Sequence, residues 1–184
     1  NICALDISKA FDQMPHIGLY LNLMRRNVPL NVLSVFEHWF KNCYTCVKWV
    51  SALSGFFKLR CGVRQGGVLS PQFFAAYIEH LVTKVIEQPS GCYMKCKCVC
   101  IILYADDILL LSPSVESLQK LFLCCERELK SLGFRINERK TICMRIGPLY
   151  QVACANIVTA AGAKLEWVQE LRYLGVYFVA PSKF

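Results

Sequence analysis

Two adjacent aspartates, Asp106 and Asp107, interrupt an otherwise apolar run, CIILYADDILLL at residues 100–111. Burying an unpaired carboxylate is costly, so such groups are usually paired, bound to a metal ion or placed at an exposed turn. We therefore predict two strands, at 95–103 and 108–112, that form a hairpin with YADD (104–107) at its tip. The buried strands would hold both carboxylates at a fixed point outside the core.

A second apolar segment also carries an acid, because Asp6 stands among hydrophobic residues in ICALDIS, a predicted buried strand at residues 2–8. Carboxylates from separate strands repel one another unless a cation lies between them. Oxygen ligands of this kind suit Mg²⁺, which binds through one or two carboxylates together with water and substrate phosphates. Two such ions about 4 Å apart stabilise the in-line displacement of a phosphoryl group, so the pattern indicates nucleotidyl transfer.

The composition is typical of one folded domain with a polyanionic partner. The 184 residues are 55% hydrophobic, which excludes a disordered chain, and the net charge of +8 favours nucleic acid. No apolar run approaches the roughly 18 residues of a membrane span, so we expect no membrane partner. No signal peptide is evident and the first residues already resemble a strand. We expect a piece of a longer intracellular protein, in the nucleus or cytoplasm.

The sequence contains twelve cysteines, and most stand singly in apolar periodic segments. Reduced cysteine behaves there as a small hydrophobic residue, which favours a reducing compartment over a disulfide framework. The cluster of Cys92, Cys96, Cys98 and Cys100 leaves two interpretations open. It is either a zinc site or, as we favour, a strand with Cys96, Cys98 and Cys100 on one face.

The remaining patterns alternate helices and strands. The predicted helices are 16–27, 30–43, the segment from Ser70–Pro71 to EQPSG, and the segment from Ser114 to Leu132 ahead of Gly133. CVKWV and GFFKLRC indicate a strand pair that turns at Ser54–Gly55. Further short strands are expected near 142–146, 165–168 and 172–179. Helices on one face of a mainly antiparallel sheet give an α+β fold class.

Five segments occur in a fixed order: ALDISKAFD (4–12), GVRQGGVLSP (62–71), YADD (104–107), LGFRINERKT (132–141) and LRYLGVYF (171–178). Together they resemble the reverse transcriptase family, specifically its non-LTR (LINE-type) retrotransposon branch. The resemblance covers nearly all of residues 1–184 and corresponds to the palm with part of the fingers, without the N-terminal fingers and the thumb. It implies an RNA-directed DNA polymerase that joins dNTPs to a DNA primer on an RNA template.

The resemblance implies that the catalytic residues are Asp6, Asp106 and Asp107. Asp6 and Asp106 would be the main ligands of two Mg²⁺ ions, for which Mn²⁺ is a substitute. The Ile7 carbonyl would complete one metal site, and Asp107 would be engaged less directly. Phe11 matches the bulky ring that lies under the nucleotide sugar and excludes a 2′-hydroxyl.

Other nucleotide-binding residues implied by the resemblance are Gln65, Gly66 and Lys140. Gln65 and Gly66 match the dNTP-contacting end of the second segment, and Lys140 matches a proton donor to pyrophosphate. For three of these residues a purely structural role remains an alternative to nucleotide binding. Phe11 would then be a core residue, Gly66 a turn glycine and Lys140 a solvated surface lysine. Further implied contacts are Arg64 with the template, the Lys9 and Ala10 amides with the triphosphate, and Tyr173–Gly175 with the primer end.

Two alternatives to an active polymerase remain open. One is an inactive or domesticated remnant that binds only RNA or a protein partner, against which the three retained aspartates count. The other is an RNA-directed RNA polymerase, which YADD and Phe11 disfavour. Because fingers and thumb would clamp the duplex through phosphate contacts, we expect weak or absent activity from this chain alone.

Overall fold

The computed structural model describes residues 1–180, which belong to two compact units. Unit 1 comprises residues 1–8 together with the chain from residue 78 onward, and unit 2 comprises residues 9–77. In chain order the elements are β1 (Ile2–Asp6), α1 (Ala10–Gln13), α2 (His16–Arg25), α3 (Leu30–Lys41), β2 (Tyr44–Thr45), β3 (Lys48–Trp49), β4 (Ala52–Leu53), β5 (Phe57–Lys58), α4 (Ser70–Ile86), β6 (Tyr93–Met94), β7 (Lys97–Cys98), β8 (Ile101–Tyr104), β9 (Asp107–Leu111), α5 (Val115–Ser131), β10 (Ile142–Met144), β11 (Glu166–Val168), β12 (Glu170–Tyr173) and β13 (Val176–Val179).

The main sheet of unit 1 joins strands that are distant in sequence. Its order is β11–β10–β1–β9–β8, and all neighbours are antiparallel except the parallel pair β10–β11. Strands β8 and β9 form the expected YADD hairpin, in which Tyr104 pairs with Asp107. Ala105 in the turn adopts the left-handed region at φ 52°. The predicted α+β class with a mainly antiparallel sheet is confirmed.

Each face of this sheet packs against a different layer, because side chains alternate along a strand. On one face, Cys3 of β1 is fully buried beside Cys125 of α5. On the other face, Ile2 and Leu109 form a buried cluster with Leu171 and Tyr173 of the β12–β13 hairpin. The hairpin therefore covers the face that does not contact α5.

Helix α5 begins and ends close to the predicted positions. The Ser114 hydroxyl caps its N-terminus by accepting a hydrogen bond from the Ser117 amide at 3.0 Å. Gly133, just past the end, has φ 83°, a conformation that favours glycine. The helical periodicity predicts an inward face of six side chains, of which Leu132 is only partly buried and five are buried: Leu118, Leu121, Phe122, Cys125 and Leu129.

Unit 2 contains α1–α3 and an antiparallel ribbon, residues 43–59, in which β2 pairs with β5 and β3 with β4. The predicted turn at Ser54–Gly55 is wrong. Trp49 pairs with Ala52, so the chain reverses at Val50–Ser51, where Val50 has φ 54°. Ser54 lies in the returning arm, where its hydroxyl accepts from the Val47 amide at 2.9 Å.

One other strand prediction needs correction. The alternating strand through Cys96, Cys98 and Cys100 is wrong, because Lys95 and Cys96 have φ 47° and 64° and form a turn between β6 and β7. Near 172–179 the chain forms a strand pair, β12 and β13, joined by a turn at Leu174–Gly175 with φ 49° and 80°. The predicted helix at 70 does begin at Ser70, whose hydroxyl donates to the Arg64 carbonyl at 2.6 Å.

Within residues 1–180 there is no helix with the length and apolar character needed to cross a membrane.

Candidate active site

The sheet register places Asp6 directly opposite Asp107. Asp6 is the last residue of β1, Asp107 is the first residue of β9, and the two are paired in the antiparallel ladder. Residues paired in this way point to the same face, with Cβ atoms about 4.5–5.5 Å apart, and like charges there destabilise the sheet. The fold thus holds two carboxylates together at the edge of one face.

The electrostatics agree with this crowding. Burial raises the pKa of the Asp107 carboxyl, and the negative charges of Asp106 and Asp6 raise that pKa further. Asp106 occupies the turn between β8 and β9 and is partly exposed. The three predicted catalytic carboxylates therefore form one negative cluster.

A cavity of about 240 Å³ opens beside this pair. Five polar or charged residues line it: Asp6, Asp107, Lys140, Arg172 and Tyr173. Asp106 lies in the adjoining turn, outside the residues that line this cavity. Two carboxylates and two cations thus share one small space, which suits a phosphate-bearing ligand held through a metal ion.

The loop that carries Lys140 is attached to the backbone of β1. The Asn137 amide donates to the Asp6 carbonyl at 2.9 Å, and Ile7 pairs with Ile136 in an isolated bridge. The Asp6 amide in turn donates to the Thr141 hydroxyl at 3.3 Å. These bonds fix where Lys140 emerges relative to Asp6.

Tyr173 connects the β12–β13 hairpin to the strands that carry the carboxylates. Its hydroxyl, which has a single proton, donates to the Asp107 carbonyl at 3.2 Å, and the Ile102 carbonyl lies 3.4 Å away as a second, longer acceptor. Burial raises the pKa of the Tyr173 phenol, and the charge of Asp107 raises it further. Among the residues predicted to grip the primer, Tyr173 and Leu174 line the cavity.

Arg172 was not identified from the sequence. Its guanidinium lies over the Tyr177 ring at 5.5 Å from the centroid, and the residue lines the cavity with Asp6 and Asp107. The one available signal was its position next to Tyr173 in the fifth segment, LRYLGVYF. An exposed arginine in a strand carries no periodic signature that would mark it as functional.

Three predicted nucleotide-binding residues, Phe11, Gln65 and Gly66, belong to unit 2. The Phe11 ring stacks on Phe74 with centroids 4.8 Å apart, and it stays partly exposed. The Val63 amide donates to the Phe11 carbonyl at 2.8 Å, which joins the first and second segments. Gln65 and Gly66 are exposed, and Gly66 has φ 78°, so the turn-glycine interpretation of Gly66 has a structural basis.

Within residues 1–180, no group of three or more His, Cys, Asp or Glu side chains is arranged to hold a metal ion. This includes Cys92, Cys96, Cys98 and Cys100, so the zinc interpretation gains no support. The pair Asp6–Asp107 nevertheless fits Mg²⁺, which needs one or two carboxylates from the protein and takes other oxygens from water and phosphates.

Comparison with known proteins gives a consistent result. Residues 2–178 match the family model for reverse transcriptase (RNA-dependent DNA polymerase). A retrovirus-related Pol polyprotein from type-1 retrotransposable element R2 of Nasonia vitripennis is 28% identical over 147 residues, or 80% of this chain and 14% of that protein. The Pol polyprotein from type-2 element R2DM of Drosophila melanogaster is 25% identical over 191 residues, 99% of this chain and 18% of its own length.

A 149 kDa protein of transposon TX1 from Xenopus laevis, itself uncharacterised, is 26% identical over 180 residues, 96% of this chain and 14% of that protein. The chain spans less than about a fifth of the length of these relatives. The relatives confirm the predicted resemblance to retrotransposon reverse transcriptases.

Two telomerase structures share the fold. Telomerase from Candida tropicalis, truncated from its C-terminal domain, superimposes with a TM-score of 0.65 at 15% identity and covers 98% of this chain and 34% of that one. Telomerase from Candida albicans, in complex with a fragment of telomeric RNA, gives a TM-score of 0.67 at 15% identity, covering 98% and 30%. At this identity the likeness concerns the fold, and it confirms the predicted reverse-transcriptase fold class.

Proposed function

The chain belongs to the reverse transcriptase family, and from that premise we propose that it is the palm, with part of the fingers, of a retrotransposon RNA-directed DNA polymerase. Its substrates are an RNA template, a DNA primer and dNTPs. The observation that carries the proposal is the pairing of Asp6 with Asp107 beside Lys140. A fold gains nothing from placing two carboxylates opposite each other unless a cation is bound there.

In this proposal Asp6, Asp106 and Asp107, with the Ile7 carbonyl, would hold two divalent ions, Mg²⁺ or Mn²⁺ as a substitute. Reverse transcriptase domains generally use divalent metal ions, and ions bound here would supply the positive charge that activates a primer 3′-hydroxyl and neutralises the phosphates. The carboxylates are suited to this role because β1 and β9 are central strands of the sheet. Their separation therefore changes little between turnovers, which keeps the reacting groups aligned.

Lys140 and Arg172 supply positive charge on the protein side of the same cavity. In our proposal Lys140 donates a proton to the departing pyrophosphate, which requires it to lie within hydrogen-bond reach of the leaving oxygen. Its loop is anchored on the Asp6 backbone, so its position relative to the carboxylates is constrained. Arg172 and Tyr173 contact the primer end.

In unit 2, Phe11 selects the sugar in our proposal, while Gln65 and Gly66 contact the incoming dNTP. The stacking of Phe11 on Phe74 restricts rotation of the ring, and its exposed edge is available to a ligand. A rigid ring excludes a 2′-hydroxyl through steric overlap better than a mobile side chain would. The positive φ of Gly66 allows its backbone to approach a ligand closely.

The test is primer extension in a chimaera. Residues 2–178 replace the matching segment of the R2DM polyprotein of Drosophila melanogaster, whose alignment covers 99% of this chain and which supplies the regions on either side. We expect extension of a DNA primer on an RNA template with Mg²⁺ and dNTPs, and weak or no extension by the 184-residue chain alone. Asp106→Asn and Asp6→Asn should each reduce extension by at least about a hundredfold.

Extension that survives Asp106→Asn undiminished would contradict the catalytic assignment. A folded chimaera that binds primer and template without extending them would favour the inactive remnant. Glu166→Gln, at an exposed acid of β11, is the matched control and should leave extension unchanged.

A further inference from the structure

A long acid-free segment runs through unit 2. No aspartate or glutamate occurs between Glu37 and Glu79. Five cations lie in this segment: Lys41, Lys48, Lys58, Arg60 and Arg64. The 43–59 ribbon is its central part, so no carboxylate from a sequence neighbour neutralises the ribbon's lysines. A surface of this kind attracts polyanions.

The same ribbon exposes large apolar side chains. Every residue from 47 to 58 is exposed, and Trp49 and Phe56 are 79% and 77% exposed. Exposed aromatic residues that cluster in one element mark interaction sites, because isolated apolar residues are common on surfaces but contiguous groups are not. The ribbon therefore presents a binding surface outside the residues that we assign to nucleotidyl transfer.

Each end of the ribbon carries an aromatic and a cationic residue. Lys48 precedes Trp49 in β3, so their side chains point to opposite faces, while the cross-strand partners Tyr44 and Lys58 at the base share a face. Lys48 and Lys58 are exposed, and neither forms an ion pair within the described part of the chain. Proteins that bind single-stranded nucleic acid combine these two features, since bases stack on aromatic rings while cations contact the phosphates.

We propose that the 43–59 ribbon binds single-stranded RNA, with Trp49 stacking on a base and with Lys48 and Lys58 contacting phosphates. The choice of RNA over DNA rests on the proposed function; the stacking and the phosphate contacts do not. Binding of an apolar protein partner would not require a surface that lacks acidic residues and carries lysines without ion pairs. The binding needs neither a metal ion nor a dNTP.

The stacking is tested by fluorescence anisotropy with a labelled single-stranded 20-nucleotide RNA and the 184-residue chain, in EDTA and without dNTPs. Trp49→Leu keeps an apolar side chain and removes the aromatic ring, and it should weaken binding by about 5- to 100-fold. Trp49→Phe keeps a ring and should stay within about threefold of the parent. Because Trp49 is exposed, circular dichroism should show the same folded content in all three proteins.

The phosphate contacts are tested by the salt dependence of the same binding. The double substitution Lys48→Gln/Lys58→Gln should reduce the slope of log K against log salt by about 1.4, since each phosphate contact to a single strand contributes about 0.7. The matched control is Lys130→Gln/Lys164→Gln, which removes two exposed lysines of unit 1 that form no ion pair within the described part of the chain. The control should change the slope by much less.

Equal affinity of the parent and Trp49→Leu for the RNA, with unchanged salt slopes, would overturn the proposal. If Trp49→Leu instead alters only self-association in sedimentation, the ribbon is a protein-docking surface and the proposal fails. Equal binding of an RNA duplex would overturn the stacking contact, and tighter binding of the matching DNA strand would overturn the choice of RNA. Since neither metal nor dNTP is present, loss of the polymerase proposal leaves this outcome unaffected.

Discussion

The Tyr173 hydroxyl donates a hydrogen bond to the Asp107 carbonyl at 3.2 Å, and so fastens the β12–β13 hairpin to the first residue of β9. The same hydroxyl lies 3.4 Å from the Ile102 carbonyl on β8. One side chain thus connects the segment assigned to the primer end with both strands of the YADD hairpin. A change at Tyr173 should therefore affect the carboxylates as well as the primer contact.

Tyr173→Phe removes only this hydroxyl and keeps the buried ring. We expect a loss of about 1 kcal/mol in the free energy of unfolding, the usual contribution of one hydrogen bond, measured by urea titration. In the chimaera, the Mg²⁺ concentration for half-maximal extension should rise because Asp107 is held less firmly. Tyr177→Phe, at an exposed ring of β13, is the control; equal effects of the two changes would contradict the role of the hydrogen bond.

Asp107→Asn should stabilise the metal-free chain at neutral pH. The folded-state pKa of Asp107 is raised above its unfolded value by burial and by Asp106 and Asp6. The folded form therefore binds a proton more tightly, and the parent loses stability as pH rises from the unfolded pKa of 3.8 through the folded pKa. The difference in Tm between Asp107→Asn and the parent should grow over that window and then level off, in thermal melts with EDTA.

Asp12→Asn, at an exposed aspartate of unit 2, is the control for these melts. It should give no comparable rise. A difference in Tm between Asp107→Asn and the parent that does not change with pH would mean that packing, and not repulsion, is responsible.

Mg²⁺ should raise the Tm of the parent chain. A ligand that binds only the folded state stabilises it by about 2.7 kcal/mol at a hundred times its Kd. Asp6 and Asp107 are paired in the antiparallel β1–β9 ladder. The double substitution Asp6→Asn/Asp107→Asn should therefore abolish the Mg²⁺-dependent rise in Tm. Equal rises in both proteins, measured by scanning calorimetry, would place Mg²⁺ elsewhere on the chain.

The sequence alone predicted the parts of the site that depend on local pattern. The apolar runs on both sides of YADD predicted the β8–β9 hairpin, and ICALDIS predicted a buried strand that carries Asp6, although the strand ends at Asp6 and not at Ser8. The pairing of Asp6 with Asp107 was not predictable, because it depends on β1 lying between β10 and β9, strands more than about a hundred residues away. Strand order results from long-range packing, which no local periodicity encodes.

The errors have a similar physical origin. Ser54–Gly55 has the composition of a turn, yet the Ser54 hydroxyl bonds across the ribbon to the Val47 amide, and the chain reverses at Val50. A β-branched residue at positive φ is unfavourable in isolation, so the pairing of the flanking strands must impose it. Arg172 was missed because only the tertiary fold places it beside Asp6 and Asp107.

Phe11→Val should admit ribonucleotides in the chimaera. Removing most of the ring opens space where the 2′-hydroxyl would lie, so the ratio of rNTP to dNTP incorporation should rise by about 10- to 100-fold, or about 1.4 kcal/mol for each tenfold. Phe36→Val removes a ring that packs on Phe73 and not on Phe11, and it should leave this ratio unchanged. Unchanged sugar selectivity in Phe11→Val would contradict the steric role.

Gly62→Ala should destabilise unit 2 strongly. Gly62 has φ 84°, and a Cβ there would lie 2.6 Å from the Asp12 carbonyl oxygen. The strained backbone and the clash would both disturb the region where the second segment meets the first, in which the Val63 amide donates to the Phe11 carbonyl at 2.8 Å. We expect a loss of at least about 1–3 kcal/mol in urea unfolding.

Gly55→Ala is the matched control, because a Cβ at Gly55 would meet no atom within 4 Å. That change should be neutral or slightly stabilising, since alanine reduces the entropy of the unfolded chain. Equal changes in the free energy of unfolding for the two substitutions would mean that the backbone at Gly62 tolerates a side chain. The close approach of Gly62 to Asp12 would then not determine the position of the segment that carries Gln65 and Gly66.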